Sequence, residues 1–438
     1  MKETYYNKIN KKLVLPTQQF IRQEKSGGIV LAITVIVALA LANSPWRGMY
    51  FHFFEHHFGF IVDSKTYFNF TIEHWINDGL MSMFFFVVGL ELKSEFIGGE
   101  LREMKKVVLP IGAAVMGMIV PAAIYLIFNL GSDTTNGWGI PMATDIAFAL
   151  AIIHVLGKSV PISAKIFLTT LAIVDDLGSV LVIAFFYTSQ ISMLNISIGF
   201  TFLLLMFIGN KMGIKNVLFY GILGICGVWA AFLMSGIHAT IAAVLAAFMI
   251  PADSKIPELT FIARMRRQLN RFEKAESNDV RTLEHEQVEI ISQVKAETVN
   301  AIPPLQRLEH GMHPLVSFIV MPIFALANAG VAFIDMDLST IFSNNIAIGV
   351  CLGLLLGKPI GIMLSVWILT TLGLGKRAKS MTWQRILGLG FLASIGFTMS
   401  MFVTSLAFDD PYFHVQAKMG IFAASIIGGF IGYRLLKK

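Results

Sequence analysis

Residues 140–187, IPMATDIAFALAIIHVLGKSVPISAKIFLTTLAIVDDLGSVLVIAFFY, place Asp145, Asp175 and Asp176 in strongly apolar surroundings. A carboxylate at bilayer depth costs roughly 2.5–3.5 kcal/mol on insertion scales. Three of them within some forty residues require a function that repays the cost. Working outward, the other apolar runs read as the spans that hold these acids at mid-membrane.

The chain has 438 residues, 55% hydrophobic and only 14% charged, with mean hydropathy +0.69. Soluble domains carry about 25% charged residues, so the fold class is an all-α polytopic membrane protein. The 37 glycines suit helices that pack through small residues. Twelve spans are expected, near 27–43, 74–98, 107–128, 140–157, 163–187, 191–209, 216–234, 237–250, 310–333, 344–370, 382–407 and 416–436. The eighth is short for a full crossing. The domain plan is a tail at 1–26, spans one to eight within 27–250, an insertion at 251–309, and spans nine to twelve within 310–436.

The net charge of +6 does not point to nucleic acid, because Lys and Arg gather in alternate loops. That is the positive-inside pattern, and it puts both termini in the cytoplasm. Cys226 and Cys351 each read as packing residues buried in an apolar span, so neither a disulfide framework nor a thiolate metal site is expected. No cleaved signal peptide is expected: the first apolar run follows a polar, basic tail.

Two pieces lie outside the spans. Residues 49–72 alternate about a polar turn at Asp63-Ser64-Lys65, which suggests an external β-hairpin; an interfacial aromatic belt is the other reading. Residues 252–306 read as a solvated helical hairpin. Ile262, Met265, Leu269 and Phe272, then Leu283, Ile290 and Val294, are helically spaced, and Ser277-Asn278 is its candidate turn.

Four ionisable residues in the central spans cannot snorkel to water: Asp145, Asp175, Asp176 and Lys358. A buried ion pair fixing helix register would leave two of the three aspartates without a partner. Adjacent Asp175 and Asp176 project about 100° apart on a helix and can border one cavity. Hard oxygen ligands suit Na⁺, Li⁺, Mg²⁺ or Ca²⁺. Removal from water favours the neutral acid, whereas a bound cation or the Lys358 ammonium favours the carboxylate. Proton and metal ion therefore compete, which is sufficient for exchange. Pro141 in span four, and Gly390, Gly396 and Thr398 in span eleven, point to broken helices in opposite halves. Asp145 would then offset the positive half-helix ends and Lys358 the negative ones.

With these residues in view, the chain closely resembles the NhaA-type sodium/proton antiporter family. The matching runs are WINDGLMSMFFFVVGLELKSE (75–95), PMATDIAFAL (141–150), LAIVDDLGSVLVIAFFY (171–187), SGIHATIAAVLAAF (235–248), LEHGMHPLVSFIVMPIFALANAGV (308–331), GLLLGKPIGI (353–362) and LASIGFTMSMFVTSLAF (392–408). The resemblance implies about twelve transmembrane helices with inverted repeats and two crossed broken helices, the family being a known case of that architecture. It implies Asp176 as principal cation and proton site, aided by Asp175, with Lys358 pairing to Asp175 in one state. It places Thr144 and Asp145 beside the helix break and Asp78 on an access route. It also implies a pH-sensing region of Glu91, Lys93, Glu95, Glu309, His310 and His313, with His238 as a further pH-response residue. On local physics alone, Glu91 and Glu95 could equally be an exposed helix face, His310 an interfacial residue and His238 a plain helix end. Ser94 stands where well-known members carry Arg, and the 251–309 insertion is longer than in them.

The expected activity is secondary exchange of cytoplasmic Na⁺ and Li⁺ for external protons, electrogenic and pH-regulated. It needs no cofactor, and the expected location is a bacterial inner membrane. The expected partners are lipids and a second copy of the chain through the external hairpin. The alternatives are an intramembrane aspartyl protease, for which neither GxGD nor PAL is present, and a passive cation channel.

Overall fold

The computed structural model describes residues 24–62, 65–99, 102, 104–188, 191–275, 282–333 and 345–437. Most of the expected tail at 1–26, the hairpin turn at Asp63-Ser64 and the Ser277-Asn278 turn lie outside them.

The chain is helical almost throughout. In order it forms α1 (Glu24–Ala42), α2 (Arg47–Glu55), a two-stranded sheet of β1 (His57–Val62) and β2 (Lys65–Thr71), and α3 (Met81–Ile97), entered through a π turn at Trp75–Leu80. There follow α4 (Met104–Asn129), a 3₁₀ stretch Thr135–Met142 leading to α5 (Ile146–Leu156), α6 (Ile162–Phe186), α7 (Met193–Lys211), α8 (Val217–Leu233) and α9 (Ala239–Met249). Then come α10 (Glu258–Lys274), α11 (His285–Ala301), α12 (Pro304–Asn328), α13 (Asn345–Thr371), α14 (Trp383–Ala393), α15 (Phe397–Ala407) and α16 (Pro411–Lys437).

Among the described residues, seven helices are long and apolar enough to cross a bilayer: α4, the Thr135–Leu156 unit, α6, α7, α12, α13 and α16. The other five expected spans coincide with helices that are bent, interrupted or short. Both α8 and α9 are short, and α3 is entered through its π turn. The α1–α2 pair bends by 110° and α14–α15 by 47°. Span four begins earlier than expected, at Thr135, so Pro141 lies near the end of its first half and not at its start.

Apolar side chains line the outside of the helices as well as the interior. Ile127, Phe185 and Leu218 are apolar yet exposed, as hydrocarbon solvates such side chains. Cys226 is likewise exposed and Cys351 only half-buried, which corrects the expectation that both are buried. Their spans are apolar all round, so sequence alone cannot tell a lipid-facing position from a packed one. The interior is instead glycine-lined where helices meet. A Cβ on Gly361 of α13 would stand 2.3 Å from the Met116 carbonyl oxygen of α4, and one on Gly357 would stand 2.6 Å from Pro121 Cα.

The β-hairpin occupies only part of its expected range, because residues 49–55 belong to α2. The strands pair antiparallel from His57↔Thr71 to Val62↔Lys65, with an irregularity between Phe58 and Phe60. Trp75 Nε1 donates to the Phe58 carbonyl at 2.9 Å, tying the hairpin to the helix that follows. In the insertion, α10 packs on α11. The inner face differs from the expected stripe: Ile262, Leu269 and Leu283 are exposed while Gln268, Gln287 and Ile290 are buried. A polar pair, Gln268 Nε2 to Gln293 Oε1 at 2.9 Å, lies where an apolar contact was expected.

Candidate functional site: a crossing of two broken helices

Both breaks are short; the first is extended, whereas Ser394 and Gly396 of the second keep helical backbone angles. Residues 143–145 separate the 3₁₀ stretch from α5, and residues 394–396 separate α14 from α15. The Asp145 amide donates to the Ile395 carbonyl at 2.6 Å, and Thr144 Oγ1 to the Ala393 carbonyl at 2.9 Å. Unwound backbone inside a membrane must find partners within the protein. Here the first break donates to the carbonyls of Ala393 and Ile395 at the second.

Asp145 is the keystone of this crossing. It N-caps α5, its Oδ1 accepting from the Phe148 amide at 3.2 Å. Its Oδ2 accepts from the Thr398 amide at 3.0 Å, at the start of α15, and from the Thr398 hydroxyl. One carboxylate thus faces the N-termini of both half-helices, where partial positive charge collects. Thr398, noted in the sequence only as part of the interruption, is the second half of this device. Its signal was its place two residues past Gly396.

Asp175 and Asp176 lie mid-way along α6, essentially fully buried. Lys358 Nζ donates to Asp175 Oδ2 at 2.6 Å, and the lysine is itself completely buried. This is the Lys358–Asp175 pairing that the resemblance implies, whereas the residues alone suggest a lysine that offsets half-helix C-termini. Thr144 lies beside Asp175. Asp176 is within electrostatic reach of Asp175, Asp145, Lys358 and Glu91. The Oδ1 atoms of Asp175 and Asp176 have no hydrogen-bond partner among the described residues. A buried carboxylate oxygen left so is costly unless a proton or cation takes the place. The oxygen-only donor set suits a hard cation.

The remaining expected residues divide into three places. Asp78 lies in the π turn before α3, and His74 Nε2 stands 3.0 Å from its Oδ2. The sequence reading missed His74, although an i,i+4 His–Asp spacing was visible. Lys93 Nζ donates to the carbonyls of Phe248, at 2.7 Å, and Ile250, so it caps the end of α9. Glu91 and Glu95 are half-buried on α3, against which the first part of α12 packs. That part carries half-buried Glu309 and exposed His310 and His313. His238 is not with them: it precedes the opposite end of α9, its Nε2 3.0 Å from the Tyr187 carbonyl.

Comparison with known proteins agrees with this geometry. The family model described as Na⁺/H⁺ antiporter 1 matches residues 18–436. The Na⁺/H⁺ antiporter NhaA 2 of Syntrophotalea carbinolica is 43% identical over 97% of this chain and 96% of its own length. The Na⁺/H⁺ antiporter NhaA of Oleidesulfovibrio alaskensis is 44% identical over 97% of this chain and 94% of its own. That of Acidithiobacillus ferrooxidans is 44% identical, covering 96% of each.

Proposed function

We propose that this chain, which belongs to the Na⁺/H⁺ antiporter 1 family, exchanges Na⁺ (and Li⁺) for protons across a bacterial inner membrane, with both termini cytoplasmic. It is a transporter and not an enzyme. The observation that carries the reading is the pair of unpartnered Oδ1 atoms on Asp175 and Asp176, beside the crossed breaks.

In the cycle, deprotonated Asp175 and Asp176 take a cation from the cytoplasmic side, and the cation displaces Lys358 from Asp175. The carrier then exposes the site outside, where protons displace the cation. Occupation by both is disfavoured, because each neutralises the same carboxylates in a medium of low polarity. Asp145 keeps the half-helix ends neutralised through the cycle. Thr144 borders the site, and Asp78 lines its approach.

With more than one proton per cation the cycle is electrogenic. One net charge moving through about 150 mV supplies roughly 3.5 kcal/mol, a gradient of about 300-fold. No ATP is needed for salt extrusion on that scale. The Glu91, Lys93, Glu95, Glu309, His310 and His313 region, with His238, sets the pH response. A second copy pairs through the external hairpin.

A purified protein in sealed vesicles tests this. Adding Na⁺ should dissipate an imposed pH gradient, and Asp176→Asn should abolish the response. Retained exchange in that variant overturns the assignment of the site. Sodium flux without opposing proton movement would favour a channel.

A further inference from the structure

Ser179 is 3% exposed, and its hydroxyl has no hydrogen-bond partner among the described residues. A helical serine ordinarily donates to the carbonyl four residues back. Elsewhere in this chain that bond often forms, as from Ser197 to Met193 and from Thr404 to Ser400, although the buried Thr240 and Ser425 hydroxyls also lack a partner among the described residues. In Ser179 it does not, although α6 is regular from Ile162 to Phe186. The hydroxyl is therefore turned away from its own helix backbone.

Its direction follows from helix geometry. At about 100° per residue, Ser179 projects roughly 40° from Asp175 and roughly 60° from Asp176, so it falls between them. It stands about 4.5 Å further along the axis than Asp176 and about 6 Å further than Asp175. Oxygens around calcium, whose size sodium nearly shares, lie about 2.3–2.6 Å from the ion. Two ligands of one such ion are thus up to about 5 Å apart, a span that the Asp176 offset fits and that the Asp175 carboxylate meets by reaching about 1 Å along the axis. Unpartnered buried side-chain oxygens occur at several places in the molecule, but Asp175, Asp176 and Ser179 are the ones that share little more than one turn of a single helix.

We propose that the Ser179 hydroxyl is a ligand of the transported cation, completing a three-oxygen set with Asp175 and Asp176. This rests on the exchange reading above. A neutral oxygen at this position strengthens cation binding without adding a group that titrates. It therefore shifts the competition toward the metal ion and leaves the proton affinity of the acids where it was.

The test is calorimetric titration of the purified protein with NaCl at alkaline pH, with the protons released on binding followed by a dye. Ser179→Ala should bind Na⁺ about fivefold or more weakly, the loss expected when one ligand worth about 1 kcal/mol is removed. Ser179→Cys keeps the shape but offers a soft atom, and it should weaken binding equally. Ser179→Thr restores the oxygen and should bind within about twofold of the parent. Proton uptake on acidification without sodium should have the same midpoint in all four proteins. Sodium affinity unchanged in Ser179→Ala, or kept in Ser179→Cys while lost in Ser179→Ala, would overturn the ligand role, the latter by showing a packing effect. Failure of the exchange reading looks different: the unsubstituted protein itself would release no protons on sodium.

Discussion

Asp145 and Thr398 come from positions 253 residues apart, and each supplies what the other's helix end lacks. The carboxylate is fully desolvated, so its worth depends on the donors it keeps. Removing one donor to a buried charged acceptor costs about 1–3 kcal/mol. Thr398→Val, which preserves shape and the backbone amide, should lower unfolding stability by that amount in a detergent thermal melt. No loss would mean that the hydroxyl contributes nothing beyond the amide. The pairing of Lys358 with Asp175 works by the same physics, since either charge alone in this interior would be uncompensated.

At the scale of elements, α13 lies against α4 so closely that Gly361 has no room for a methyl group. Gly361→Ala should separate the two helices and cost about 1–3 kcal/mol, measured by chemical unfolding in detergent. Gly221 of α8 has nothing within 4 Å of the added carbon, so Gly221→Ala should stay within about 0.5 kcal/mol. Equal effects in the two would show that close approach is not what holds α13 in place. Because α13 carries Lys358, this contact also sets how far the ammonium reaches toward Asp175. Near the C-terminal end of α3 a second lysine also joins two elements. Lys93 closes the exposed carbonyls of the short α9, and cations are favoured at helix C-termini.

For the whole molecule, the hairpin is the one sheet among the described residues, and it has only two strands. Such a ribbon is marginal alone in water, and its outer edges are open to further pairing. On the proposed pairing of two copies through this hairpin, deleting residues 58–70 should shift the solubilised protein from dimer to monomer in light scattering while vesicle exchange persists. A dimer that survives the deletion would place the contact elsewhere.

The amino-acid sequence by itself determined that this is a polytopic helical protein. Hydrocarbon admits only apolar runs of sufficient length, and each of the twelve runs coincides with a helix or helix pair. It also singled out Asp145, Asp175, Asp176 and Lys358, since a charge at bilayer depth is too costly to be incidental. Whether a span residue faced lipid or protein was not legible, because both environments are apolar, as Cys226 shows; in the solvated insertion the apolar stripe failed differently, leaving Leu269 exposed. Only the tertiary structure decided that Thr398 is the second donor to Asp145, that Asp145 answers two helix ends at once, and that the Ser179 hydroxyl leaves its own backbone. Those facts depend on which groups remain unpaired after distant segments have met, and no local spacing records that.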